Sequence, residues 1–161
     1  MKKHPYGTID PFLQIDVADN ILDEVFQITG QLKIKAFLMI GLCLGFVRDG
    51  GYIEGDNDLD IGVICNREEK DRLINLLKEN SFNQGKSYHH HNTHFHKNKT
   101  LVDIYFLEAR GFYSNFDSVE YKGKSYPVPS PIEKYLSACY SNWKIKEMQT
   151  ARYVSPNEGT K

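Results

Sequence analysis

The chain has 161 residues, with 20 Lys and Arg against 21 Asp and Glu, a formal net charge of −1, and 40 % hydrophobic residues. This is the composition of a globular protein and the length of one domain, which we expect to span 1–161 with a core from about 11 to 145 and a frayed tail from about 155. The balance excludes a general nucleic-acid coat, which needs a basic excess, and an acidic disordered tail.

From Pro11 onward, Ile15, Val17, Ile21, Leu22, Val25, Phe26, Ile28 and Leu32 recur mostly at three and four. This spacing predicts a first helix, capped by Asp16 or Asp19 and weakened near its end by Gly30. Ala36 to Ile40 is fully apolar and predicts a buried strand, ended by Gly41. Leu42 to Asp49 predicts a short helix, broken by Gly50 and Gly51. Asp58 to Ile64 alternates polar and apolar residues, the period of a half-buried strand. Asn66-Arg67-Glu68-Glu69 opens an amphipathic helix with Leu73, Ile74, Leu76 and Leu77 inside, ending at Asn80-Ser81. Tyr88 to His96 and Leu101 to Leu107 flank Lys97-Asn98-Lys99-Thr100 and predict a hairpin. Tyr113 to Tyr126, with its Lys122-Gly123-Lys124 turn, predicts a second hairpin. Residues 127–131 (Pro-Val-Pro-Ser-Pro) read as an extended connector, with Ser130 and Pro131 capping and opening a last helix to about Tyr140. This order predicts a mixed α/β (α+β) domain with carboxylates at strand ends.

Cys43, Cys65 and Cys139 are widely spaced and form no CxxC pair, as expected of reduced, buried thiols in the cytoplasm. His4, Pro5, Gly7 and Asp10 stand where the apolar core of a signal peptide would lie. The apolar run from Ala36 to Val47 is shorter than the ~20 residues a membrane span needs. We therefore expect a cytoplasmic protein with no membrane span and no nucleic-acid partner.

Asp58 and Asp60 lie two apart on the predicted strand and share a face, opposite Leu59, Ile61 and Val63. Two adjacent carboxylates repel unless a cation or proton lies between them, and a hard ion such as Mg²⁺ suits oxygen ligands. Alone, the pair also fits an exposed polar strand edge. Asp103 sits within the apolar run Leu101 to Phe106. A buried Asp must be paired, coordinated or used, and a salt bridge at a strand end would satisfy it. Three carboxylates on adjacent strands would instead make a metal site for phosphoryl or nucleotidyl transfer. Gly41 follows a strand and precedes a helix, a turn that lets a phosphate approach the backbone and is also a common structural element.

The stretch from Gly41 through Gly45, Arg48, Gly51, Asp56 and Asp58 to Ile61 resembles the signature of the LicD/fukutin family, within the nucleotidyltransferase superfamily typified by DNA polymerase beta. The resemblance continues through Val102-Asp103-Ile104, Val128-Pro129, Tyr135-Leu136, Tyr140 and Trp143. It implies a mixed central sheet flanked by helices, with Asp58, Asp60 and Asp103 as catalytic metal ligands for Mg²⁺ or Mn²⁺. Asp103 is then a ligand or the general base for an acceptor hydroxyl. Gly41 and the position of Leu42 would cradle phosphate, and the Arg48 guanidinium would contact phosphate oxygens. The chain departs from the family pattern in three places. Leu42 replaces a hydroxyl residue after the glycine, Asn57 replaces an acid, and Ser141 stands where a glycine is usual.

Five of the six histidines lie between His89 and His96. A turn at Asn98-Lys99 would place His94 across from Asp103 and His96 across from Leu101, both on the carboxylate face, where they could contact phosphate or carry protons. His89, His90 and His91 read as a solvated polar stretch. The aromatics from Phe112 to Trp143 read mainly as core, with a pocket for a base, sugar or quaternary ammonium as the alternative.

The family resemblance implies a metal-dependent phosphotransferase that moves a phosphocholine- or polyol-phosphate-like group from a CDP-linked donor to a glycan or small-molecule hydroxyl. Two alternatives stand beside it. One is a small nucleotidyltransferase transferring NMP from NTP, and the other is a silent nucleotide- or metal-binding module.

Overall fold

The computed structural model describes residues 9–86, 91–147 and 149–159. Helix α1, Ile15–Gln31, buries Ala18, Ile21, Leu22, Val25 and Ile28, the face its spacing predicted. Its N-cap is Gln14, with no side-chain cap, so neither acid caps it. Asp16 lies in the first turn, where the helix dipole favours an acid, and Asp19 turns toward other elements. Strand β1, Lys35–Leu38, ends before the expected Ile40, because Ile40 holds φ at +46° and turns the chain into α2, Ile40–Leu44. A β-branched residue in this region is strained and persists only where its surroundings hold it. Here the Ile40 N–H donates to the buried Tyr135 hydroxyl at 3.2 Å. From α2 the chain continues as a π-helical turn, Gly45–Asp49.

Strand β2, Asp58–Ile64, has the expected bounds. Helix α3, Arg67–Glu79, opens on a capping box in which Asn66 Oδ1 accepts from Glu69 N–H and the Glu69 carboxylate accepts from Asn66 N–H. Strand β3, Asn83–Gln84, is short and exposed and exists through its pairing with β4. Strands β4, Asn92–Lys97, and β5, Thr100–Leu107, form the first predicted hairpin. Strands β6, Phe116–Tyr121, and β7, Lys124–Pro129, form the second, and α4 is Ile132–Cys139.

The five-stranded sheet runs β1-β2-β5-β4-β3. Among the described residues only the β2–β5 pair is parallel. A parallel pair needs a crossover, which α3, β3 and β4 supply. Helix α1 packs on β1 and α3, and α4 packs on α2 and β7. Leu59, Ile61, Val63, Val102 and Ile104 are wholly buried at the centre. The result is the single mixed α+β domain that the element order predicted. No helix among the described residues is long and apolar enough to cross a membrane.

Two expectations about the C-terminal third are corrected. Residues 127–129 belong to β7, and Ser130 does not cap α4, whose N-cap is Pro131. The Asp117 carboxylate accepts from the Ile132 N–H at 3.2 Å instead. Residues 155–159 are tied down, because the Phe112 N–H donates to Glu158 O at 3.1 Å and Arg152 pairs with the Glu158 carboxylate at 2.7 Å. Cys43 and Cys139 are buried as expected, whereas Cys65 is half-exposed, and all three are free.

Candidate active site

The parallel register of β2 on β5 sets Asp60 beside Asp103, and the two-residue period puts Asp58 on the same face. The carboxylate oxygens of Asp58, Asp60 and Asp103 lie within 4.8 Å of one another, Asp60 and Asp103 buried and Asp58 half-buried. All three open on a cavity of about 970 Å³. A buried trio of like charges is unfavourable without a counter-charge. Burial first, then the charges of Asp56 and Asp103, pushes the Asp58 carboxyl up to about 8. Burial, then Asp58 and Asp103, raises Asp60 well above the carboxylate range. Three convergent carboxylates beside a roomy cavity fit a hard divalent cation such as Mg²⁺ or Mn²⁺.

Gly41 lies against this trio. Its backbone N–H donates to Asp60, easing the charge there. A Cβ at Gly41 would stand 3.1 Å from Asp56 Oδ2 and in ordinary contact, 3.5 Å, with Asp60 Oδ2, so a side chain here would crowd the edge of the carboxylate cluster. The strained turn at Ile40 is what brings Gly41 there.

His94 and Asp103 are register partners on β4 and β5, as expected, and their Nδ1 and Oδ1 atoms make a short hydrogen bond. That bond raises the His94 pKa above its ordinary value, favouring a proton held on the ring toward Asp103. Neither His94 nor His96, which sits opposite Leu101, is among the residues that line the cavity. Leu42 is 1 % exposed, its side chain in the core, so that position offers a ligand only backbone groups. His89 and His90 lie outside the described residues, while His91 reaches the cavity and stacks on Tyr153 with centroids 4.4 Å apart.

Arg48 does reach the cavity wall, but its guanidinium is engaged. Nε and Nη2 donate to the two Asp49 oxygens at 2.8 and 3.0 Å. Nη1 donates to the carbonyls of Ile145 at 3.1 Å and Trp143 at 3.4 Å. Arg48 therefore fastens the chain after α4 to the helix instead of offering a free fork to phosphate, and it holds the Asp49 carboxyl below its ordinary pKa. Arg48→Lys should free this segment, since an ammonium cannot replace a planar fork with five donors. We expect a loss of about 1–3 kcal/mol in stability and faster proteolysis beyond Cys139. Wild-type proteolysis rates in the variant would contradict this role.

Other residues on the wall had no site role assigned from the sequence, Asp56, Tyr105 and Tyr153 among them. Asp56 is a fourth acid, hydrogen-bonded to Asp58. Tyr105 hydrogen-bonds Asp60, and burial raises its phenol pKa so that it stays a donor. Alternation along β5 from Asp103 was a usable signal for Tyr105. Tyr140, one of the aromatics read as core with a pocket as the alternative, lines the cavity, and so does Tyr153, brought there by long-range packing that leaves no local pattern.

Solved structures share this fold at low sequence identity. The lincosamide antibiotic adenylyltransferase LnuA, lincomycin-bound, is 13 % identical with a TM-score of 0.57, covering 75 % of this chain and 82 % of that one. The antibiotic-resistance factor ANT(2'')-Ia is 9 % identical with a TM-score of 0.58, covering 73 % and 67 %. ANT(2'')-Ia in complex with adenylyl-2''-tobramycin aligns at 8 % identity and a TM-score of 0.54, covering 71 % and 70 %. No curated protein matches the sequence. The family model for the LicD/FKTN/FKRP nucleotidyltransferase domain matches residues 33–131, which hold every carboxylate of the trio, Gly41 and His94. The chain belongs to the LicD/FKTN/FKRP nucleotidyltransferase-domain family.

Proposed function

We propose that this protein is a metal-dependent transferase acting on a nucleotide-linked donor, with a CDP-linked phospho-substituent moved to a hydroxyl of a glycan or small molecule. The observation that carries the reading is the convergence of Asp58, Asp60 and Asp103 beside Gly41 at the cavity. Those three carboxylates would hold Mg²⁺ or Mn²⁺. When bound, the ion supplies charge neutralisation to the phosphate oxygens.

The chain's own residues do the rest. The absence of a side chain at Gly41 leaves room for the donor's phosphates against the backbone. Tyr105 donates to Asp60 and fixes its orientation. Asp103, steadied by His94, receives the proton of the acceptor hydroxyl. The hydroxyl oxygen forms the new O–P bond at the β-phosphorus as the bond to the departing CMP breaks. Three free thiols suit a cytoplasmic site for this reaction.

A second reading has support from the fold. Two structural neighbours are a named adenylyltransferase and a protein bound to an adenylylated product, which favours transfer of NMP from NTP with release of pyrophosphate. Incubation with CDP-choline, a CDP-polyol or each NTP, with Mg²⁺ and a hydroxyl acceptor, separates the two. CMP release supports the first reading and pyrophosphate release the second. Tight nucleotide binding without either product would leave a silent binding module and overturn both.

A further inference from the structure

The loop between the π-helical turn and β2 carries Asp56 and delivers Asp58, yet it contains no regular structure of its own. It is held from outside. A Cβ at Gly45 would fall 2.5 Å from Gly51 O and 3.0 Å from Ile53 N, so the loop backbone lies directly on the helix. The Asp56 N–H donates to Ile53 O at 3.0 Å, and Leu13 N–H donates to Asp56 O at 2.8 Å.

The Gly51 N–H donates to Gly45 O at 3.3 Å, and a further, side-chain anchor is Tyr52. Its ring meets Phe46 edge-on at 5.3 Å and Tyr121 at 5.8 Å. Its hydroxyl donates to Asp19 Oδ1 at 2.8 Å, the one acceptor this hydroxyl has among the described residues. The same Asp19 oxygen accepts from the Tyr121 hydroxyl at 2.8 Å, and Oδ2 accepts from Lys122 at 2.6 Å. The β6–β7 hairpin has a second tie, Lys124 and Tyr126 to Asp23 at 2.7 and 3.3 Å. The hairpin can therefore spare Asp19, whereas Tyr52 cannot.

We infer that Asp19, on α1, is a positioning residue for the active site. It acts through the Tyr52 hydroxyl on the 53–56 turn, and so on Asp56 and Asp58. The inference rests in part on the functional reading above, and its test separates the two. Amide hydrogen exchange at Leu13 and Asp56 is measured in metal-free protein for Tyr52→Phe, Asp19→Ala and Tyr121→Phe, followed by Mn²⁺ titration of each. A hydrogen bond to a carboxylate is worth enough to change such equilibria about tenfold. Exchange at both amides should rise about tenfold, and Mn²⁺ affinity should fall by a similar factor, in Tyr52→Phe and Asp19→Ala. Tyr121→Phe should stay within about twofold of wild type in both. Should Asp19→Ala fail to fold, Tyr52→Phe alone decides. Wild-type exchange in Tyr52→Phe, an equal defect in Tyr121→Phe, or faster exchange with unchanged Mn²⁺ affinity overturns the inference. Were the wild type to bind no Mn²⁺, the functional reading would fall, and the exchange rates would still decide the role of Asp19.

Discussion

Asp60→Asn is expected to lower transfer by on the order of 10²–10³-fold while raising the melting temperature of the metal-free protein. The loss follows from removing one of three carboxylates that would hold an ion whose charge stabilises the transition state by several kcal/mol. The gain follows from the opposite side of the same geometry. Asp60 is buried against Asp58 and Asp103, and without a cation their charges repel. Asp58, pushed up to about 8 in the fold, keeps a proton that the unfolded chain has already released at neutral pH. The stability tied to that proton is complete below about pH 4, the unfolded value, and is lost as pH rises through about 8. An amide at position 60 takes one ionisable acid out of the crowded trio, worth on the order of 1–3 kcal/mol at alkaline pH, or roughly 3–10 °C for a domain of this size. Thermal melts in chelator at pH 6 and pH 9 check this. The difference between variant and wild type should widen at the higher pH. A variant melting below wild type at pH 9 would show that the site is not poised for a cation.

Gly45→Ala is expected to lose about 1–3 kcal/mol and most of the activity together. The new methyl would meet backbone at Gly51 and Ile53, which cannot rotate away as a side chain can. Relief requires the loop to lift from the helix, carrying Asp56 and Asp58 with it. Ala is ordinarily a better helix former than Gly by nearly 1 kcal/mol, so a bare propensity argument gives the opposite sign. Urea denaturation compared with wild type decides between them. A stabilised, active Gly45→Ala protein would mean that the loop does not rest on the helix as described.

Much of the site's frame was readable because it depends on short-range periodicity. The alternation in Asp58 to Ile64 placed two carboxylates on one face and gave the bounds of β2 correctly. The four residues between the predicted strands put His94 opposite Asp103, and the register agrees. The run Asn66 to Glu69 marked the start of α3, where the structure shows a local reciprocal bond. What was not readable depends on contacts far along the chain. Arg48 looks like a phosphate ligand in its local motif, but carbonyls from Trp143 and Ile145 capture it. Residues 155–159 have a loop-like composition, yet Arg152 and the 3₁₀ turn at Gly111–Tyr113 hold them through Glu158. Strand β3 has two exposed residues and no apolar signature, and only β4 makes it a strand. Asp19 resembled a helix cap, whereas the partners it binds lie beyond Gly51 and in the second hairpin.

The most direct measurement is a Mn²⁺ titration at pH 8 in the presence of CDP, for wild type and for Asp58→Asn, Asp60→Asn and Asp103→Asn. A shared three-carboxylate centre predicts saturable binding in wild type and a loss of about 100-fold or more in each variant, including the one on the other strand. Full affinity in Asp103→Asn, or no saturable binding in wild type, would contradict it.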